Sequence, residues 1–143
     1  MSYVKVMIHA VWGTKNRFPF LTKEIKSSVI EHSKTNARKK IIFIDAIDGS
    51  TEHLHCLFGL NADMTISKAL QLIKGESAFW INQNKIIHTK FEWADEYFAV
   101  SVSESMLNQA RTYIRNQEEH HRKKTYQEEY DEFIRSYNFN SHG

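Results

Sequence analysis

The sequence predicts an α+β fold in which an antiparallel sheet carries helices on its faces, and three observations support this prediction. Polar and apolar residues alternate from residue 3 to residue 12, as they do along a strand. Apolar residues recur at intervals of four and five over 22–37, which is typical of an amphipathic helix. Asp48-Gly49 separates two extended runs and indicates a hairpin turn. The 143 residues are expected to form one domain.

The composition excludes several classes of protein. With 41% hydrophobic and 25% charged residues, the chain is ordinary for a globular protein and unlike a disordered one. Its apolar runs are far shorter than the roughly 20 residues that span a bilayer, and the first residues lack the apolar stretch of a signal peptide. A single cysteine, Cys56, cannot form an internal disulfide, so we expect a protein of the reducing cytoplasm.

The first half of the sequence predicts a strand, a helix and a hairpin. The strand covers residues 3–12. Thr22 is a suitable N-cap for a helix that continues to about residue 37, because its hydroxyl can accept a hydrogen bond from a free backbone N–H of the first turn. Residues 41–47 and 52–60 are extended runs, which the turn between them joins into an antiparallel pair.

The second half predicts a helix, a short strand and two further helices. Thr65 can cap a helix to about residue 82, and a strand at 97–102 leads into a third helix at 104–121. A charged segment at 125–137 is expected to be helical and partly exposed. The order of these elements is the split βαβ, ferredoxin-like arrangement. Two helices then cover one face of the sheet, and the third helix lies near the other face.

Two histidines share one side of the predicted second hairpin strand. Because side chains alternate along a strand, His53 and His55 face one way, with Cα atoms roughly 6.5–7 Å apart, and Leu54, Cys56 and Phe58 face the other. Such a pair of imidazoles can hold a metal ion. His-x-His also occurs on half-exposed strands without any ligand function, and the spacing alone leaves both interpretations open.

Tyr113 and Gln117 lie four residues apart in the third predicted helix, so their side chains share one of its faces. A glutamine among inward-facing apolar residues must find hydrogen-bond partners when it is buried. Gln117 can therefore be a ligand, or it can simply bond a backbone carbonyl while Tyr113 packs as a core residue. Periodicity does not decide between the two.

Several motifs are found together along this chain. They comprise His-Ala-Val-Trp-Gly-Thr-Lys at 9–15, Glu-His-Leu-His at 52–55, Ile-Ser-Lys-Ala-Leu-Gln-Leu-Ile-Lys-Gly-Glu-Ser at 66–77, Phe-Ala-Val-Ser-Val-Ser at 98–103 and Tyr-Ile-Arg-Asn-Gln-Glu-Glu-His-His at 113–121. With these motifs the sequence resembles the single-tyrosine HUH transposases, the small enzymes of hairpin-ended insertion sequences and their repeat-associated relatives. The resemblance extends from the opening strand to about residue 130.

The resemblance implies roles for the polar residues. His53, His55 and Gln117 are implied to bind a divalent metal, Mg²⁺ or Mn²⁺, and Tyr113 to be the nucleophile that forms a 5′-phosphotyrosine on single-stranded DNA. Two positions depart from the family pattern. Glu52 replaces an aspartate before the first histidine, and Ala94 replaces a glutamine after a tryptophan. The roles of Glu52 and of His9 are left open.

The resemblance also implies partners and a place of action. The implied substrate is single-stranded DNA, such as the hairpin ends of a mobile element, at the nucleoid of a prokaryotic cell, and the implied assembly is a homodimer. Since the net charge is only +2, DNA binding must depend on local basic residues. The candidates, each of which can equally belong to a solvated face, are Lys15, Arg17, Lys68, Lys74, Arg122 and Lys123. The alternative function is a non-catalytic binder of DNA or RNA hairpins on the same fold.

Overall fold

The structure is a computed structural model that describes residues 2–117 and 124–136. Its centre is a four-stranded antiparallel sheet in the order β2-β3-β1-β4. The strands are β1 (Met7–Gly13), β2 (Phe43–Gly49), β3 (His53–Gly59) and β4 (Phe98–Val102). This strand order, with helical crossovers between β1 and β2 and between β3 and β4, confirms the predicted split βαβ, ferredoxin-like fold.

Helices lie on both faces of the sheet. The helical segments are α1 (Lys23–Lys39), α2 (Ile66–Leu70), α3 (Glu76–Gln83), α4 (Leu107–Arg115) and α5 (Tyr126–Ser136). A π-helical stretch, Gln71–Gly75, joins α2 to α3 where the sequence predicts one regular helix. None of the described helices is both long and apolar enough to cross a bilayer.

One face of the sheet forms the larger hydrophobic core. Alternate residues of β1 and β3 point toward α1, α2 and α3, and their side chains are almost fully buried. These strand residues are Ile8, Ala10, Trp12, Leu54, Cys56 and Phe58. The side-chain alternation predicted from the sequence is therefore confirmed. Burial raises the pKa of the Cys56 thiol, which keeps it uncharged in this apolar layer.

The opposite face holds α4 through a second, smaller core. Leu107 and Ile114 of α4 pack on Met7 and Leu57 of the sheet. At the irregular step in the pairing of β2 with β3, Asp45 accepts two hydrogen bonds from the Arg111 guanidinium, each of 2.8 Å. This bidentate pair fixes α4 against the edge strand. The third predicted helix is thus confirmed on the second face of the sheet.

Several predicted boundaries differ from the structure. Strand β1 begins at Met7 and not at residue 3, and Tyr3 is 91% exposed. Ile41 has a left-handed backbone, with φ of 60°, which turns the chain after α1 and delays the start of β2 to Phe43. Helix α4 ends at Arg115, where the sequence predicts a helix to about residue 121, and 118–121 lie outside the described residues.

The segment at 125–137 is predicted to be helical and partly exposed, and the structure has a helix over Tyr126–Ser136 in which Gln127, Glu128 and Asp131 are exposed while two other side chains are buried. Tyr126 of α5 is 9% exposed and Glu129 is 1% exposed. Both face the same side of the sheet as α4. Residue 137, the predicted end of this segment, lies outside the described residues.

Candidate active site

The two histidines lie side by side on β3, on the face that carries α4 and α5. His53 and His55 are both fully buried, and their ring centroids are 5.1 Å apart. In the antiparallel register His53 is opposite Gly13 and His55 is opposite Val11 of β1. Alternation along β3 thus separates this pair from Leu54 and Cys56, which belong to the core beneath the sheet.

The turn before β3 fixes the position of His53. A Cβ added to Gly49 would lie 2.0 Å from the His53 carbonyl oxygen, so only glycine permits this close approach. The Lys26 ammonium, buried under the turn, donates to the Gly49 carbonyl at 3.0 Å and lies 3.2 Å from an Asp48 carboxylate oxygen. The Asp-Gly signal in the sequence therefore marks a turn that a lysine of α1 holds in place.

The outer ring nitrogen of each histidine has its own partner. His55 Nδ1 is 2.9 Å from His9 Nε2, and His53 Nδ1 is 3.3 Å from a Glu52 carboxylate oxygen. Partners of this kind fix the orientation and tautomer of metal-binding histidines. They leave the Nε2 atoms of His53 and His55 directed at the groups that α4 and α5 present. The sequence motifs left the roles of His9 and Glu52 open, and the structure shows that each contacts one of the two histidines.

Helix α4 and the short segment after it bring the tyrosine and the glutamine to the histidines. The Tyr113 ring centroid is 5.4 Å from that of His55. Gln117 is fully buried, its Oε1 is 3.4 Å from His53 Nε2, and its Nε2 donates to the Tyr113 carbonyl at 3.2 Å. The Gln117 amide nitrogen thus bonds a backbone carbonyl while its oxygen faces a histidine, and its role as a metal ligand stays a prediction.

Glu129 of α5 is a site residue that sequence reasoning missed. Its Oε1 is 2.5 Å from His55 Nε2 and 3.7 Å from His53 Nε2. The available signal was the spacing of Tyr126, Glu129 and Tyr130, which places them on one side of a helix. The segment is otherwise rich in acidic residues, and the sequence predicts only a partly exposed helix there.

The electrostatics of the site follow from burial. Burial lowers the pKa of His55 to about 3 and that of His9 to about 4, with the Glu129 carboxylate opposing both shifts. Both imidazoles are therefore neutral at pH 7, the form in which a histidine binds metal. Burial also raises the pKa of the Tyr113 phenol, and the charge of Glu129 and a hydrogen bond to it raise that pKa further. The phenol is thus fully protonated at neutral pH.

These donors fit a divalent cation. One ligand atom from each of His53, His55 and Glu129 lies within 4.8 Å of the others, and all three side chains are buried. The Gln117 amide oxygen is directed at His53 from α4. Two imidazole nitrogens with amide and carboxylate oxygens form a mixed set that suits Mn²⁺ or Mg²⁺. Among these side chains there is no thiolate, since Cys56 faces the other side of the sheet.

A cleft of about 620 Å³ opens beside Tyr113. Residues of β4, α4 and α5 line it, including Val102, Ala110 and Glu132, and His9 and Glu129 lie where it meets the histidines. A polymer backbone entering this cleft would reach the phenol. It would also face two carboxylates, Glu129 and Glu132, so a phosphate requires a cation there to offset the repulsion.

The basic residues predicted to contact DNA are spread over the surface. Arg17 lies over the rings of Tyr126 and Tyr130, 5.3 Å and 5.1 Å from their centroids. Lys15 pairs with Glu92 at 2.6 Å, and the Lys74 ammonium donates to the Ala94 carbonyl at 2.8 Å. Lys68 is exposed on α2. Arg122 and Lys123 lie outside the described residues. Among the four of these residues that the structure describes, Arg17 contacts α5, the helix that carries Glu129.

The fold and the site together define a class of protein. It is a small ferredoxin-like domain in which buried imidazole and oxygen donors lie next to a tyrosine at the edge of a cleft, an arrangement suited to phosphoryl transfer through a covalent intermediate. The family model described as IS200-like transposase matches residues 2–117. The chain belongs to this transposase family, which confirms the resemblance found in the sequence.

Two solved structures have the same fold. A candidate transposase from Deinococcus radiodurans is 24% identical, with a TM-score of 0.66, and the match covers 82% of this chain and 95% of that one. A REP-associated tyrosine transposase bound to a REP hairpin is 17% identical, with a TM-score of 0.63, and the match covers 85% of this chain and 72% of that one. No curated protein sequence matches this chain.

Proposed function

We propose that this transposase cleaves and rejoins single-stranded DNA through a 5′-phosphotyrosine on Tyr113, with a divalent metal held by His53, His55 and Gln117. The observation that carries the proposal is the convergence of two segments that are distant in sequence. Tyr113 of α4 lies beside His55 of β3, and Gln117 contacts both the tyrosine backbone and His53. A site of this composition has a nucleophile and metal donors within reach of one phosphate.

The chemistry needs both parts of this arrangement. The Tyr113 oxygen would attack the phosphorus, form the phosphotyrosine bond and release the 3′ oxygen of the preceding nucleotide as a hydroxyl. Since one phosphate ester replaces another, a 3′-hydroxyl can later reverse the step without ATP. The raised pKa of Tyr113 makes the free phenol a poor nucleophile, so it needs assistance. Mg²⁺ or Mn²⁺ would orient the phosphate and offset its developing charge.

Hairpin-forming single-stranded DNA is the proposed partner. Support comes from family membership and from the structural relative that is bound to a REP hairpin. Lys15, Arg17, Lys68 and Lys74 are proposed to contact the phosphate backbone, as are Arg122 and Lys123 beyond α4. Such contacts would make the affinity fall steeply with salt concentration. The proposed place of action is the nucleoid, in the cytoplasm.

Assembly into a homodimer is also part of the proposal. The described residues of a single chain already bring Tyr113 to its own His55, so the geometry supports an active site formed within one chain, even in a dimer. Sedimentation velocity distinguishes a dimer from a monomer. In a dimer with sites of this kind, each subunit would retain its own activity beside an inactive partner.

Covalent capture of labelled DNA tests the proposed function. The full chain is incubated with a 3′-labelled hairpin oligonucleotide carrying a 5′ single-stranded arm, in MnCl₂ or MgCl₂, and resolved on a denaturing gel. We expect a protein–DNA adduct that Tyr113→Phe abolishes. The matched control is Tyr3→Phe, which removes a hydroxyl from a tyrosine that is 91% exposed and should leave the adduct unchanged.

The other outcomes identify the competing functions. Cleavage without an adduct, persisting in Tyr113→Phe, would indicate a hydrolytic metallonuclease that does not need the phenol. Tight hairpin binding by the wild type with neither cleavage nor adduct in any metal would indicate the non-catalytic binder. Either result would overturn the proposal.

A further inference from the structure

A buried carboxylate from α5 lies among the metal donors. Glu129 is 1% exposed, and its Oε1 faces the Nε2 atoms of His55 and His53, at 2.5 Å and 3.7 Å. Residues 53 and 129 are far apart in sequence, so only the docking of α5 brings these atoms together. Glu129 was absent from the set of ligands that the sequence motifs implied.

Burying a carboxylate is costly unless a positive charge compensates for it. Removing an ion of this size from water carries a large free-energy penalty even after the protein relaxes. The side chains that face Glu129 include His53, His55 and the Tyr113 phenol. One ligand atom from each of His53, His55 and Glu129 lies within 4.8 Å of the others, so a divalent cation between the carboxylate and the imidazoles would offset the charge of this carboxylate.

The histidines are oriented toward such a cation. Their Nδ1 atoms are engaged with His9 and Glu52, and their Nε2 atoms face the Glu129 carboxylate, at 2.5 Å for His55 and 3.7 Å for His53. The Gln117 oxygen approaches the same space from the α4 side, 3.4 Å from His53 Nε2. The result is four donors, two nitrogens and two oxygens, with partners that hold the histidines from behind.

The docking of α5 is itself built into the sequence. The Tyr126 ring stacks on His53, with centroids 4.2 Å apart and planes 7° from parallel. Gly13 makes room for it, because a Cβ there would lie 3.1 Å from the Tyr126 ring. Tyr130 packs edge-to-face on Phe98, with centroids 4.8 Å apart. With one anchor before Glu129 and one after it, the helix places this carboxylate at a defined position.

We propose that Glu129 is a ligand of the divalent metal, contributed by α5 together with His53, His55 and Gln117. This inference rests on the proposed function, because it assigns a fourth donor to the metal site used there. It makes α5, which lies beyond the segment matched by the family model, a part of the active centre.

Metal binding in the absence of DNA tests this assignment. Purified full-length protein is titrated with MnCl₂, and the EPR signal of hydrated Mn²⁺ reports the unbound fraction. We expect Glu129→Gln and His53→Ala each to weaken Mn²⁺ binding by at least about tenfold, since each would remove a direct ligand. The matched control is Asp131→Asn, which removes an exposed charge from the same helix and should change the affinity by less than about twofold.

A second measurement guards against misfolding. Glu129→Gln should melt cooperatively in EDTA, and 1 mM MnCl₂ should raise its melting temperature less than that of the wild type, because at a fixed ligand concentration a weaker-binding protein is stabilised less. If Glu129→Gln fails to fold, Glu129→Asp replaces it. Aspartate keeps the charge but withdraws the carboxylate by one methylene, and we expect an intermediate affinity.

The outcomes separate this inference from the proposed function. If Glu129→Gln binds Mn²⁺ as tightly as the wild type while His53→Ala does not, the Glu129 assignment is overturned and the metal site of the proposed function stands. If His53→Ala and Glu129→Gln both bind as the wild type does, the metal site itself is overturned. Weakening by both substitutions, with Asp131→Asn unaffected, supports the assignment.

Discussion

The two faces of the sheet are built from the same strands and have opposite characters. Beneath the sheet, Leu54, Cys56 and Phe58 of β3 pack with α1, α2 and α3 in an apolar layer. Above it, His53 and His55 of the same strand meet Tyr113, Gln117 and Glu129. Consecutive residues of one strand therefore belong either to the core or to the site.

This difference separates stability from chemistry. The lower face stabilises the fold by burying apolar surface. This contribution is roughly proportional to the area buried and does not depend on the direction of individual contacts. The upper face buries imidazoles and a carboxylate, which cost free energy unless their partners are in place. A small apolar core holds α4 next to these polar side chains; it consists of Met7, Leu57, Leu107 and Ile114. Substitutions on the two faces should therefore have different measurable consequences.

The largest effect on stability is expected beneath the sheet. Phe58→Ala should lower the free energy of unfolding by about 3–5 kcal/mol, because it leaves a cavity in a fully buried layer. Urea unfolding measures this loss, and Mn²⁺ affinity of the folded fraction should be unchanged because the ring faces away from the site. Phe79→Ala is the control: Phe79 is 62% exposed and its loss should cost less than about 1 kcal/mol. Similar losses for both variants would contradict the account of this face as a packed apolar core.

An intermediate effect is expected above the sheet. Glu52→Ala removes the carboxylate that lies 3.3 Å from His53 Nδ1 and should weaken Mn²⁺ binding by about 10–100-fold, because His53 loses its orienting partner. The same titration by EPR measures it. Glu24→Ala, which removes an exposed carboxylate from α1 on the opposite face, is the comparison and should leave Mn²⁺ affinity unaltered. An unchanged affinity in Glu52→Ala would remove this residue from the support of the site.

The smallest effect is expected at the contact between β1 and α5. Gly13→Ala places a methyl 3.1 Å from the Tyr126 ring and should destabilise the protein by about 1 kcal/mol as α5 shifts outward. Gly59→Ala, at the other end of the paired strands, would meet its nearest neighbour at 3.7 Å and should be tolerated. Thermal melts give the melting temperatures of the two variants, and we expect that of Gly13→Ala to be the lower. Equal melting temperatures would show that α5 does not depend on the space at Gly13.

Much of this architecture was predictable from local pattern. Alternation along β3 assigned His53, His55 and Phe58 to their correct faces, and the strand order follows from the sequence of elements. The spacing of Tyr113 and Gln117 indicated a shared helix face, but only the family resemblance suggested that they meet the histidines. The structure brings the four residues together; their roles in catalysis stay predictions.

The remainder depends on tertiary packing. The burial of Glu129 results from the stacking of Tyr126 on His53 and from the missing side chain at Gly13, and neither contact has a local signature in an acidic segment. The partner of His55 was similarly hidden: alternation placed His9 on the correct face of β1, but its contact with His55 depends on the register of β1 against β3. Boundary errors arose where the backbone turned unexpectedly, as at Ile41.

Peptide mapping of the covalent product tests the central claim most directly. The wild-type protein is reacted with the hairpin oligonucleotide in MnCl₂, the DNA is digested to short fragments, and tryptic peptides are sequenced by mass spectrometry. We predict a nucleotide phosphate on the tyrosine of the peptide Thr112-Tyr113-Ile114-Arg115. Attachment to a different residue, or cleaved DNA with this peptide unmodified, would contradict the account.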